Sequence, residues 1–185
     1  ISKKVHSSYL LKAQKGQFTG CLAPFGYRKD PEDKNHLLID EETAPIVRRL
    51  FAWALEGHGP NYIRRRLEEE KIPCPTYWNR VRGFRNVSTK WEKKDPVNGR
   101  YIWDFSVIKD ILMNPVYTGA IASQKKEYRF KIGTIGEKKP EEWIVVENQH
   151  EPLVDRKTFD IVQRKLKSRQ RPRQTGEISL FAGLI

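Results

Sequence analysis

Ile39-Asp40-Glu41-Glu42-Thr43-Ala44-Pro45-Ile46-Val47-Arg48-Arg49-Leu50-Phe51 is the stretch that decides the fold. Val47, Leu50, Phe51 and Ala54 recur at i, i+3, i+4 and i+7, the spacing of one buried face on an α-helix. Asp40 or Thr43 can cap its start, and Pro45 belongs in its first turn, where a missing N–H costs nothing. The spacing predicts a helix over 41–56 that Gly57 ends. His58-Gly59 then reads as a tight turn and Pro60 as the opening of a second helix over 60–71, with Ile63 and Leu67 facing inward and Pro73 and Pro75 stopping it.

Working outward, a third helix is predicted over 104–113, with Asp104 as N-cap and Val107, Ile108, Ile111 and Leu112 as the apolar stripe. The three helices form a candidate helix-turn-helix unit, with 104–113 as the reading helix. Residues 2–16 read as a further helix stopped by Gly16, and Asp155 caps another over 156–169. Phe25, Tyr27 and Leu37–Ile39 suggest two short strands around the Asp30–Asn35 turn. Tyr117–Tyr128 and Trp143–Glu147 are strand candidates. The aromatic and basic stretch 76–101 has no period and reads as a long insertion or loop. The expected class is α+β, mainly helical: a helix-turn-helix-like three-helix unit with a small antiparallel β-sheet.

Charge points to the partner. The formal net charge is +12 over 185 residues, yet 38% of residues are apolar and 11% aromatic, enough for a buried core. A basic surplus on a folded body fits nucleic-acid phosphate, because each neutralised phosphate releases a condensed counterion. No apolar run approaches the roughly 20 residues of a bilayer span, so no membrane partner and a cytoplasmic location are expected. Cys21 and Cys74 are far apart and read as unpaired thiols. His6, His36, His58 and His150 are scattered, no C-x-x-C spacing occurs, and no P-loop or G-x-S-x-G is present, so neither a metal centre nor a catalytic centre is read here.

Candidate DNA-binding residues follow from charge and place. The polar face of the reading helix offers Ser106 and Lys109, with Trp103 at its start. Arg64-Arg65-Arg66 lies four residues before Glu68-Glu69-Glu70, which suits surface ion pairing and leaves one or two of the three for phosphate; Arg64 is retained. Arg80 and Arg82 open the aromatic-basic stretch. Arg28, Lys15 and Gln17 complete the front half. Arg169, Arg171 and Arg173 lie in a Pro-broken basic run with no acid, suited to a minor groove.

The order of motifs resembles the large serine recombinases. Pro24-Phe25-Gly26-Tyr27-Arg28 is similar to their P-x-G-Y motif, and 39–51 to their D-E-x-A-P-x-V-x-x-I-F helix. Ile63–Pro75 resembles I-A-x-x-L-N-x-x-G-I-P-x-P, with Lys71 in place of Gly. Trp103–Gly119 resembles W-x-x-S-x-V-x-x-I-L-x-N-P-x-Y-x-G, and Trp143–Gln163 the E-W-I-x-V-E-N run. The resemblance implies three parts: 1–19 as the end of a connecting helix and hinge, 20–168 as a recombinase DNA-binding domain, and 169–185 as a basic linker toward a zinc-ribbon domain. It places the nucleophilic serine and the zinc outside this chain, which is then not itself an enzyme and needs no cofactor. The implied function is sequence-specific binding of double-stranded DNA, positioning a serine catalytic domain on attachment or transposon-end sites, with 104–113 in the major groove and Gln14–Thr19 and Arg169–Arg173 along the minor groove. Self-association is implied for the full-length protein and left open for this piece, and the long 76–101 stretch departs from the family pattern. The competing readings are a non-specific DNA or RNA binder and a Mg²⁺-dependent nuclease.

Overall fold

The computed structural model describes residues 3–84, 95, 97–129 and 133–168. Helix α1 covers Lys3–Gln14, α2 Ala44–Glu56, α3 Pro60–Glu69, α4 Pro75–Val81, α5 Phe105–Met113 and α6 Arg156–Ser168. Strands pair in antiparallel twos: β1 (Tyr27–Lys29) with β2 (Leu37–Ile39), β3 (Ile121–Ser123) with β6 (Ile144–Val146), and β4 (Lys126–Arg129) with β5 (Gly133–Glu137). The class is α+β and mainly helical as expected, but the β part is three two-stranded ribbons among the described residues rather than one sheet.

Helix α2 starts at Thr43, with Pro45 in the first turn. The Asp40 carbonyl accepts the Thr43 N–H at 3.1 Å and the Ala44 N–H at 2.8 Å, while the Thr43 hydroxyl bonds the Asp40 carboxylate. Both sequence candidates for the cap therefore take part. The helix ends where Gly57 turns left-handed, at φ 101°, a conformation that costs a side-chain-bearing residue about 1 kcal/mol or more. The His58 N–H then reaches the Trp53 carbonyl at 2.9 Å, closing the helix end. Three residues later α3 begins, so α2 and α3 form a helix–short turn–helix pair.

Helix α2 packs against α3, α5 and α6, and α3 packs against α5. The core draws Val47, Leu50 and Phe51 from α2, Ile63 and Leu67 from α3, and Ile108, Ile111 and Leu112 from α5, with Phe159 and Val162 from α6. Each fully buried aliphatic contributes about 1.5–3 kcal/mol through burial, which fixes how the three-helix unit is oriented. Tyr27 and Tyr117 tie the front segment to the back half. The Tyr27 hydroxyl donates to the Glu151 carbonyl at 3.0 Å and accepts from the Leu153 N–H at 3.1 Å. The Tyr117 hydroxyl donates to the Phe25 carbonyl at 2.9 Å. Helix α1 lies on the β3–β6 ribbon.

Two expectations need correction. Pro75 does not only stop α3: it opens α4, so the start of the stretch read as loop is helical, and Gly99–Tyr101 adds a turn of 3₁₀ helix. The missed signal is Pro at the first helical position. Tyr117 lies in a 3₁₀ turn over Pro115–Thr118 rather than in a strand, because the Asn114 side chain caps that turn by accepting the Val116 N–H at 3.3 Å, with Pro115 opening it.

Candidate nucleic-acid interface

Helix α5 is the element on which the reading rests. Asp104 caps it by accepting the Ser106 N–H at 3.3 Å. Its inner stripe of Ile108, Ile111 and Leu112 is buried, and Gln163 of α6 donates to the Leu112 carbonyl at 2.6 Å. The opposite face carries Phe105, Ser106, Asp110 and Met113 exposed, with Lys109 half-buried. Phe105 is 44% exposed and Met113 43%. This face is mixed: a hydroxyl, an ammonium, a carboxylate and two large apolar groups. Such variety suits base edges, which offer donors, acceptors and the thymine methyl group, more than it suits phosphate. Periodicity alone gave Met113 no role; its position one turn past Lys109 was the available signal.

Trp103 is not part of that face. It is 1% exposed, its indole N–H donates to the Ile72 carbonyl at 2.8 Å, and Phe25 meets its ring edge-on at 5.7 Å. The sequence expectation of a DNA contact is corrected: Trp103 bolts α5 to the segment after α3, and a side chain this apolar is worth more in the core than at a wet groove.

Arg82 is occupied as well. Its guanidinium holds the Asp40 carboxylate at 2.7 Å and the Glu42 carboxylate at 2.7 Å, and it lies 5.3 Å over the Trp78 ring. Burial lowers its proton affinity, but the two carboxylates outweigh that and raise it overall. Arg82 thus ties the end of α4 to the start of α2. Arg64 pairs with Glu68 at 3.9 Å and Arg66 with Glu70 at 3.3 Å, as the i,i+4 spacing predicts. Glu70 also takes Arg49 of α2. Arg65 is exposed beside Tyr62, Arg66 and Glu69, which line a shallow cleft on the outer side of α3.

The remaining candidates are spread. Lys15 is exposed just past α1 and Gln17 is half-buried, on either side of Gly16, whose φ of 68° turns the chain. A side chain at Gly16 would collide with Gln149, so the hinge presses on the loop before α6. Arg28 is exposed at the middle of β1, and Arg80 is exposed on α4. Arg169, Arg171 and Arg173 lie outside the described residues. The half-buried Lys125 lies at the C-terminal end of α5, where it bonds the Asn114 side chain at 3.3 Å and interacts electrostatically with Asp110. Among the described residues, no group of three His, Cys, Asp or Glu side chains is placed to hold a metal ion, and no helix is long and apolar enough to cross a membrane.

A capped, core-anchored helix with a mixed outer face, set in a three-helix unit, is an arrangement suited to a DNA groove. Residues 41–169 match the Recombinase family, and the chain belongs to it. Its fold is similar to that in a solved structure described as a complex of a large serine recombinase with DNA, at a TM-score of 0.53 and 16% identity over 97% of this chain and 44% of that one. A second solved structure, from work on the sequence requirements of the Listeria innocua prophage attP site, matches at a TM-score of 0.57 and 16% identity over 89% of this chain and 52% of that one. An uncharacterized Bacillus subtilis protein, YefB, is 38% identical over 81 residues, 43% of this chain and 27% of that protein. The chain therefore spans about half the length of the solved proteins it matches and about a quarter of the curated one.

Proposed function

We propose that this chain binds double-stranded DNA in a sequence-specific way and positions a serine catalytic domain on attachment or transposon-end sites. The observation that carries this reading is the outer face of α5, held rigid by a buried stripe and bearing Phe105, Ser106 and Lys109 in its first turns. A helix reads bases from its N-terminal turns in the major groove. Exposed lysines elsewhere on the surface, Lys12 and Lys15 among them, supply phosphate contacts that fix register without reading sequence. The Arg169–Arg173 run, read from its sequence, supplies the minor-groove contact. Membership of the recombinase family and the likeness to a recombinase–DNA complex support the DNA partner.

The test compares cognate with scrambled duplex. Lys109→Ala lowers the ratio of the two affinities by the equivalent of about 1–3 kcal/mol, the worth of one good base contact. Arg171→Ala weakens both duplexes alike and reduces the salt slope by about one unit. An unchanged ratio in Lys109→Ala ends the assignment of α5. Equal binding of RNA and every duplex would favour a non-specific nucleic-acid binder instead.

A further inference from the structure

The β4–β5 hairpin has no part in anything described above. The residues of its two strands whose burial is described, Lys126, Glu127, Gly136 and Glu137, are all exposed. A lone two-stranded hairpin is marginal in water, so this one depends on how its root is held. The Lys138 N–H donates to the Lys125 carbonyl at 2.9 Å, and the Trp143 indole N–H donates to the Lys138 carbonyl at 3.0 Å. The Lys125 ammonium lies 5.0 Å over the Trp143 ring and bonds Asn114 at 3.3 Å. Asn114 is the residue that ends α5. The root is thus fastened to the far end of the helix assigned to base reading.

The sequence of the hairpin and its root is strongly basic. Residues 125–139 contain six basic residues (125, 126, 129, 131, 138 and 139) against Glu127 and Glu137, a balance of 6 − 2 = +4 out of the chain's +12. Lys126 and Lys139 are exposed, one on each side of the base, and no carboxylate pairs with either among the described residues. Lys126 stands near the Glu137 end of the ladder, its register partner.

We propose that this hairpin is a second DNA-contacting arm, gripping the phosphate backbone of the duplex beside the groove that α5 enters, with Lys126 and Lys139 as its contacts. The proposal rests on the DNA-binding reading above. Charge complementarity selects the occupant: a polyanion with regularly spaced charge answers lysines with no protein carboxylate of their own. Lysine is a point charge on a flexible stem, suited to phosphate. The arm therefore adds affinity and orientation, and leaves sequence discrimination to α5.

The experiment is a salt titration of the whole chain and of the Lys126→Ala/Lys139→Ala double variant on cognate and scrambled duplex, with thermal melting as a check that the variant folds. The expected result is a slope of log K against log salt that is shallower by about 1.8, at about 0.9 per phosphate contact. Affinity falls by the same factor on both duplexes, so their ratio holds. An unchanged slope in a chain that binds duplex overturns the arm alone. A collapsed ratio with an unchanged slope overturns it too, by making these lysines base readers. Failure of the unsubstituted chain to bind any duplex overturns the DNA-binding reading and the arm with it.

Discussion

Arg82→Ala separates a structural clamp from a DNA contact. The Asp40 carboxylate that Arg82 grips is only 7% exposed, whereas Glu42 is 66% exposed. The two halves of the fork are therefore unequal. A hydrogen bond to a largely buried charged group contributes about 1.5–3 kcal/mol, and a solvent-exposed ion pair at most about 1 kcal/mol. The stack on Trp78 adds about 0.5–1 kcal/mol at this exposure. Arg82→Ala should thus cost about 3 kcal/mol, most of it through Asp40, which is left buried without its cation. In a chain of this length that lowers Tm by roughly 6–12 °C. Urea unfolding monitored by tryptophan fluorescence measures the loss, with Glu42→Ala as the control, expected within about 1 kcal/mol of the parent. Duplex affinity of the folded variant should change less than threefold. A stability loss below about 1 kcal/mol together with a tenfold or greater fall in affinity would refute the clamp and restore Arg82 to the DNA surface.

Trp103→Phe should destabilise the chain by about 1–3 kcal/mol, because the Ile72 carbonyl loses its donor, while the cognate-to-scrambled ratio stays fixed; a changed ratio at unchanged stability would return Trp103 to the groove. His150 gives a pH dependence. Burial holds its ring below the ordinary histidine value of 6.5, opposed by the bond to the Val116 carbonyl at 2.7 Å and helped by nearby His36; the Tyr27 ring packs on it edge-on. A depressed folded value means the stabilising neutral form is fully present above 6.5, and its contribution is lost as pH falls through the folded value. Stability should therefore decline on the acid side of 6.5 and flatten there in His150→Gln, as read by urea midpoints across a pH series. Asp155, held low by the Thr158 N–H, loses its contribution only below the ordinary carboxylate value of 3.8, so the two windows stay distinct.

The helices were legible because each one carries its own punctuation. Thr43 and Pro45, Gly57, Pro60, Asp104 and Asp155 all sit within a residue or two of the observed ends, and the apolar stripes of α2 and α5 are the buried ones. The first strand pair was legible for the same reason, with a turn between two short apolar runs. What sequence could not give was partnership. Whether Arg82 meets phosphate or carboxylate depends on Asp40, 42 residues away, and no local pattern encodes that distance. Trp103 opening a helix reads equally as an anchor or a probe until Ile72 and Phe25 are seen around it. The hairpin root was hidden similarly, since Lys125 meets Asn114 and Trp143 only in three dimensions.

Once these partnerships are drawn, the basic surplus sorts by residue type. Arg49, Arg64, Arg66, Arg82 and Arg156 each hold a carboxylate, and Arg100 lies over the Tyr77 and Tyr101 rings. No lysine pairs with a carboxylate at salt-bridge distance among the described residues. The planar arginine fork matches carboxylates and rings and is taken up in holding elements together, whereas a lysine head that is engaged meets neutral partners, as Lys125 meets Asn114 and Lys165 the Leu55 carbonyl, and otherwise stays in water, open to an external anion. The consequence is a division of labour inside one charge count. Paired arginines of the folded body fix the scaffold, exposed lysines outside α5 offer the phosphate contacts, and discrimination is left to the outer face of α5, Lys109 included. On that division, replacing exposed lysines outside α5 should change the salt slope without changing which duplex is preferred, and replacing paired arginines should change stability before it changes binding.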